Sequence, residues 1–182
     1  MRIQTTPLEG LLLITPDVFA DDRGYFFESF SLQKYAEVFA LHTFVQDNIS
    51  KSQRGTVRGL HYQIGKNAQG KLCQVLMGKV LDVAVDIRFG SPTFGKYFAV
   101  ELSEENHFQF WLPHGFAHGF SVLSKVAMFH YKCTAQYSKA DERSIRYDDP
   151  SLGIEWNVDD PVVSAKDKNA PLFADIDQDF TY

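Results

Sequence analysis

The chain has 182 residues, 45% of them hydrophobic, and a formal net charge of −5; it is long enough to bury a core and too apolar for intrinsic disorder. The acidic balance argues against a nucleic-acid surface, which would show a basic stripe, and no run approaches the ~18 apolar residues that a membrane-crossing helix needs. Abundant phenylalanine and tyrosine, with β-branched residues recurring in short runs, predict an all-β protein.

Met1-Arg2-Ile3-Gln4 leads into no sustained apolar run, so no signal peptide is expected. The two cysteines, Cys73 and Cys133, lie inside apolar, strand-like runs and are expected as buried thiols in a reducing compartment. A cytoplasmic protein follows, with one domain over residues 1–182. Residues 11–14 read as a short strand closed by Pro16, and Asp21-Asp22-Arg23-Gly24 as a turn. Residues 25–30 read as a strand with Glu28 on the face of Phe26 and Phe30. Ser31 looks like an N-cap, with Leu32, Tyr35, Ala36 and Phe39 at helical spacing behind it. Residues 44–49 form a strand carrying Gln46, Asp47 and Asn48, and residues 56–63 form another. The loop 65–70 is polar, and Lys71 opens the next strand.

Residues 79–88 alternate most clearly. Leu81, Val83, Val85 and Ile87 share one face, and Asp82, Asp86 and Arg88 share the other, which meets either solvent or a cavity. Further strands are expected at 97–102, 107–112, 118–123 and 126–137, the last placing Tyr131, Cys133 and Tyr137 on one face. From about Ser138 the chain reads as loops and short helices wrapped around the β core. Many short antiparallel strands with Gly/Pro turns indicate a sandwich or jelly-roll barrel, a fold that holds small ligands at its mouth.

The chemistry concentrates in Arg-Gly-Thr-Val-Arg-Gly-Leu-His-Tyr-Gln at 54–63. His61 is suited to taking and returning protons near neutrality, and arginine grips phosphate or carboxylate with paired hydrogen bonds. A core histidine on a strand with exposed arginines explains the same residues more plainly. Strict alternation puts Arg58 and His61 on opposite faces, but a bulge at Gly59 would turn both inward. Leu112 to Phe120 contains Pro-x-Gly-x-x-His, which resembles the second motif of cupin barrels. Cupins often hold a metal with closely spaced histidines and a carboxylate. Here Gln63 stands where a second ligand would sit, so no metal is expected. His42, His107, His114 and His130 read as surface or packing residues.

Taken together, the runs 21–30, 46–48, 58–63, 82–88, 91–95, 111–120, 131–134 and 164–167 resemble the dTDP-4-dehydrorhamnose 3,5-epimerase family of deoxysugar biosynthesis. They follow that family's order over nearly the whole chain. The resemblance implies a cupin jelly roll, a homodimer exchanging an N-terminal strand, and no cofactor. It implies inversion of C3 and C5 flanking the C4 ketone of a thymidine-linked 4-keto-6-deoxy sugar, a step towards dTDP-L-rhamnose. By the same resemblance His61 is the base, Asp167 its partner carboxylate, Lys71 the enolate stabiliser and Tyr131 the acid on the opposite face, with Asp82 supporting Lys71. Arg23, Glu28, Gln46, Asp47, Asn48, Arg58, His118, Glu142 and Lys166 match nucleotide-holding positions, and Tyr137 the residue that stacks on thymine. Gln74, Ile49, Ala135-Gln136 and Phe110 depart from the usual pattern. The alternatives are a relative that inverts only one of the two carbons, a metal-dependent cupin and a non-catalytic sugar-nucleotide binder.

Overall fold

A computed structural model describes residues 1–39 and 42–182. In chain order the elements are β1 (Arg2–Thr5), β2 (Leu12–Thr15), β3 (Phe19–Asp21), β4 (Gly24–Phe26), α1 (Ala36–Phe39), β5 (Gln46–Gln53), β6 (Thr56–Gln63), β7 (Lys71–Met77), β8 (Lys79–Asp86), β9 (Tyr97–Ser103), β10 (Gln109–Leu112), β11 (Phe116–Val122), β12 (Val126–Cys133), β13 (Glu142–Ser144), β14 (Val162–Val163) and α2 (Ala165–Lys168). Single 3-10 turns lie at Gly65–Asn67 and Phe173–Asp175. The first sheet runs β1-β2-β10-β7-β12-β5; the second runs β13-β6-β11-β8-β9, with β14 added beside β6. From β5 to β12 the chain changes sheet at every connection except β8 to β9. That alternation winds the two sheets around each other as a cupin-type jelly roll.

The alternation seen in residues 79–88 explains how the second sheet is covered. Val83, Val85 and Ile87 face outward and pack with Leu152, Trp156, Phe173 and Phe180 of the C-terminal segment. Fully burying such side chains stabilises by about 1.5–3 kcal/mol each, so this cover is held firmly. The two carboxylates on the polar face of the same strand meet no solvent. Asp86 is fully buried under Arg88, Ser91 and Thr93, and Asp82 points between the sheets. There it borders the core formed by Val75, Ala84, Phe110, Phe120 and Phe129. The outer face of the first sheet is covered by Phe30, Tyr35, Phe39 and Phe44 against Ile14, Leu72 and Trp111.

Several expected elements differ. The strand at 25–30 stops at Phe26, and Glu28 lies in the following loop, paired with Lys34. The amphipathic helix reduces to Ala36–Phe39 among the described residues, after a turn in which Leu32 is exposed. Stacked Tyr35 and Phe39, 5.7 Å apart, are this segment's buried contacts with the sheet, and the Tyr35 hydroxyl donates to Gln109 Oε1 at 2.6 Å. Anchoring two rings needs one turn, not a long helix. The strand at 44–49 is displaced to Gln46–Gln53, where it pairs with β12. The strand predicted to reach Tyr137 ends at Cys133, so Tyr137 sits on a loop. The C-terminal region adds two short strands, β13 and β14, both on β6.

Candidate active site

Strand β6 carries the irregularity on which the site depends. Its pairing with β11 shifts between His118 opposite His61 and Phe120 opposite Arg58. Two residues, Gly59 and Leu60, therefore oppose Gly119 alone. Gly59 has φ +121°, and a Cβ there would lie 2.6 Å from the Gly119 Cα. Only glycine fits. The bulge keeps Val57, Leu60 and Tyr62 on the outer core and turns both Arg58 and His61 inward. Gly59→Ala should cost about 3 kcal/mol through overpacking and an unfavourable φ. Urea unfolding would show it; a loss under about 1 kcal/mol would mean the strands part easily here.

His61 Nε2 lies 2.7 Å from Asp167 Oδ1. An ionised carboxylate only accepts, so Nε2–H donates and Nδ1 is left with the ring's lone pair. The local structure delivering Asp167 is compact. β14 adds in parallel to β6, pairing Val162 with Thr56 and Val163 with Val57. Ser164 then caps α2, its hydroxyl accepting the Asp167 N–H at 3.1 Å. Burial opposes ionisation of Asp167. The hydrogen bond and charge of His61, with Ser164 and the Gly59 N–H, outweigh it and hold the carboxyl below its usual range.

Lys71 and Tyr131 face His61 from the first sheet, on β7 and β12. With Gln46, Asn48, Tyr137 and Glu142 they line a cavity of about 250 Å³. Lys71 Nζ is 6.0 Å from the centre of the Tyr131 ring. Burial pushes the Tyr131 hydroxyl up to about 12, so it carries its proton at neutral pH, although nearby Arg58 opposes the shift. The cavity thus has a histidine–carboxylate pair on one wall and a protonated phenol with an ammonium on the other. Cys73 and Cys133 flank these groups as free, buried thiols, and burial raises the pKa of both.

Asp82 pairs with His118 rather than Lys71: His118 Nε2 is 2.5 Å from Asp82 Oδ1. Both lie on the interior face of neighbouring strands, paired Phe120 to Asp82 and His118 to Ala84. Burial, with the opposing charge of Asp82 only partly compensating, lowers the His118 pKa, so its ring is neutral and donates to Asp82. Cys73, Asp82 and His118 offer three ligand atoms within 4.8 Å of one another. The His118 and Asp82 atoms are already engaged with each other in a hydrogen bond, and the nearby Lys71 ammonium would repel an ion. Their chemistry suits a hydrogen-bonded pair better than a metal.

Of the residues matched to the family, the structure brings Gln46, Asn48, His61, Lys71, Tyr131, Tyr137 and Glu142 to the cavity wall. Asp167 backs His61, and Lys166 pairs with Glu142 at 2.6 Å. Arg58 is exposed, reaching from β6 toward β5 with its Nε donating to Ser52 Oγ at 3.1 Å. His118 is buried behind the wall. Three others stand apart. Arg23 is on the exposed β3–β4 hairpin paired with Asp21, Glu28 borders a different hollow with Lys34, and Asp47 binds Lys132 on the outer face of the first sheet. Gln74 and Ile49, two of the departures from the family pattern, also lie on that outer face, flanking His130 in one cross-strand row. Tyr62, Gln63 and Gln69 line the cavity without having been singled out as site residues. For Gln63 the available signal was its parity with His61 on one strand; the loop position of Gln69 offered none.

Fold and cavity together define a cupin-type jelly roll with a polar cavity opening between its sheets. The family model for dTDP-4-dehydrorhamnose 3,5-epimerase matches residues 5–175. The dTDP-4-dehydrorhamnose 3,5-epimerase of Shigella flexneri is 51% identical over 97% of this chain and 98% of its own length. The Legionella pneumophila dTDP-6-deoxy-D-glucose-3,5-epimerase, solved in complex with dTDP-4-keto-L-rhamnose, superposes with a TM-score of 0.95 at 50% identity, covering 100% of this chain and 98% of that one. A dTDP-4-dehydrorhamnose 3-epimerase of Streptomyces niveus is more distant, at 35% identity over 96% of this chain and 85% of its own. The chain belongs to the dTDP-4-dehydrorhamnose 3,5-epimerase family.

Proposed function

We propose that the protein inverts C3 and C5 of dTDP-4-dehydro-6-deoxy-D-glucose, giving dTDP-4-dehydro-L-rhamnose, in the cytoplasm and without a cofactor. The observation that carries this reading is the placement of His61–Asp167 and Tyr131 on facing sheets across one cavity. A proton α to a ketone is acidic enough for neutral imidazole once the enolate is stabilised. His61 Nδ1 removes the α-proton, and Asp167 stabilises the imidazolium that forms. Lys71 holds the negative oxygen at C4. Tyr131 then delivers a proton from the other side, and the carbon is inverted.

Gln46, Asn48, Tyr137, Glu142 and Lys166 hold the nucleotide at the mouth, Tyr137 by stacking on thymine. Arg58 adds positive charge, and buried His118 with Asp82 supports the wall behind Lys71. A homodimer, with an N-terminal strand exchanged, completes the site. Arg23 and Glu28 lie away from their own chain's cavity, beside the exposed Phe19 and Phe26. Supplied by a second copy, with Asp47 orienting the adjoining strand, they reach the nucleotide.

The decisive experiment is incubation with the 4-keto-6-deoxyglucose nucleotide in heavy water, read by NMR. Deuterium with inversion at both C3 and C5 is expected. Label and inversion at one carbon would replace the reading with a single-site epimerase, as the similarity to a 3-epimerase allows. No label at either carbon would sink it.

A further inference from the structure

We propose that Gln63 is a positioning residue for nucleotide recognition, holding the loop that carries Tyr137 in the shape that receives the base. This rests on the reading of the cavity as a nucleotide-sugar site. Gln63 is two residues beyond His61 on β6 and so shares its face. It lines the cavity, yet its side-chain amide is fully engaged within the protein and only 4% of the residue is exposed. Nε2 donates to Asn67 O at 3.0 Å and to Gln136 O at 3.2 Å, and Oε1 accepts the Ser138 N–H at 2.6 Å.

Gln136 and Ser138 are the two neighbours of Tyr137. The Tyr137 N–H itself donates to Gln46 Oε1 at 2.8 Å. Three consecutive loop residues therefore have backbone groups met by two glutamine side chains, one from each sheet. The loop runs from the end of β12 to the start of β13 without ladder partners of its own; Gln136 and Tyr137 on it are exposed, and these side-chain contacts tie its backbone to the strands beside it. A primary amide supplies donors and an acceptor together; neither a carboxylate nor an apolar chain of the same length does. The Tyr137 ring, whose hydroxyl donates to Glu142 Oε2 at 3.1 Å, is thus set before any ligand arrives. Order established in advance is order that binding need not impose.

The test is calorimetric titration with thymidine diphosphate. Gln63→Met keeps the volume and removes every hydrogen bond. Gln63→Glu keeps the acceptor for Ser138 and sets negative charge against two carbonyls, so it stands in if the first variant unfolds on heating. Each is expected to raise Kd about tenfold, the effect of freeing one or two ordered side chains. In the Tyr137→Ala background Gln63→Met should add less than about twofold, because the residue acts through the ring. Inorganic pyrophosphate, which has no base, should bind both forms alike. With substrate, the loss should fall on KM rather than kcat. Unchanged thymidine diphosphate binding by the variants, or an equal loss with Tyr137 already removed, would overturn the assignment. If the unmodified chain fails to bind thymidine diphosphate, the nucleotide reading falls and this inference with it, an outcome distinct from a defect confined to the variants.

Discussion

Replacing His61 with asparagine is expected to lower kcat by about 10³-fold, the scale of a lost general base, while KM stays within a few-fold. Asparagine retains an N–H for Asp167, so the carboxylate, only 4% exposed, is not left alone. Alanine would leave it only Ser164 and the Gly59 N–H. His61→Ala should therefore lose about 2 kcal/mol of stability in addition to activity, because a buried carboxylate without its cationic partner carries much of its desolvation penalty uncompensated. Asp167→Asn should reduce kcat by roughly 10²-fold, since the imidazolium loses its counter-charge. Steady-state kinetics beside urea unfolding separates the two effects. An asparagine variant keeping a tenth or more of the parent kcat would remove His61 from the role of base.

Tyr131→Phe should leave proton removal intact and abolish its return from the far side. Burial keeps the Tyr131 hydroxyl protonated far above neutral pH, so the wild-type residue is a ready donor. In heavy water the phenylalanine variant should still exchange deuterium into the sugar, because His61 can return a deuteron to the face it deprotonated. Inverted product should fall by about 10²- to 10³-fold. The informative quantity is the ratio of exchange to inversion, measured by NMR on one sample. A variant that loses both together would place Tyr131 in binding instead. One that loses neither would point to another donor across the cavity from His61.

Different parts of this site were legible to different depths. The strand alternation at 79–88 separated an apolar from a polar face correctly, because side-chain period is a local property of a strand. It left open whether Asp82 and Asp86 met water; the first sheet, stacked on that face, and the turn carrying Arg88, Ser91 and Thr93 decided it by covering them. The glycine between Arg58 and His61 pointed to a bulge, and the pairing with β11 supplied it. The helix after Ser31 was overread, because spacing alone cannot say how many turns the sheet below will accept.

A β-rich chain, a run of ordered motifs matching one epimerase family and the residue types available for proton transfer are all legible without the fold. Those properties reside in composition, period and short strings. Only the tertiary structure decided which groups meet. His61 and Asp167 are 106 positions apart and touch because β14 joins β6 in parallel and Ser164 caps the helix that follows. Asp82 took His118 because neighbouring strands in one sheet set them side by side. Tyr137 left its strand because β12 ends at Cys133, where glutamines from β5 and β6 capture the loop. Contacts of this kind depend on pairing between distant segments, and a single chain's local pattern carries no record of it.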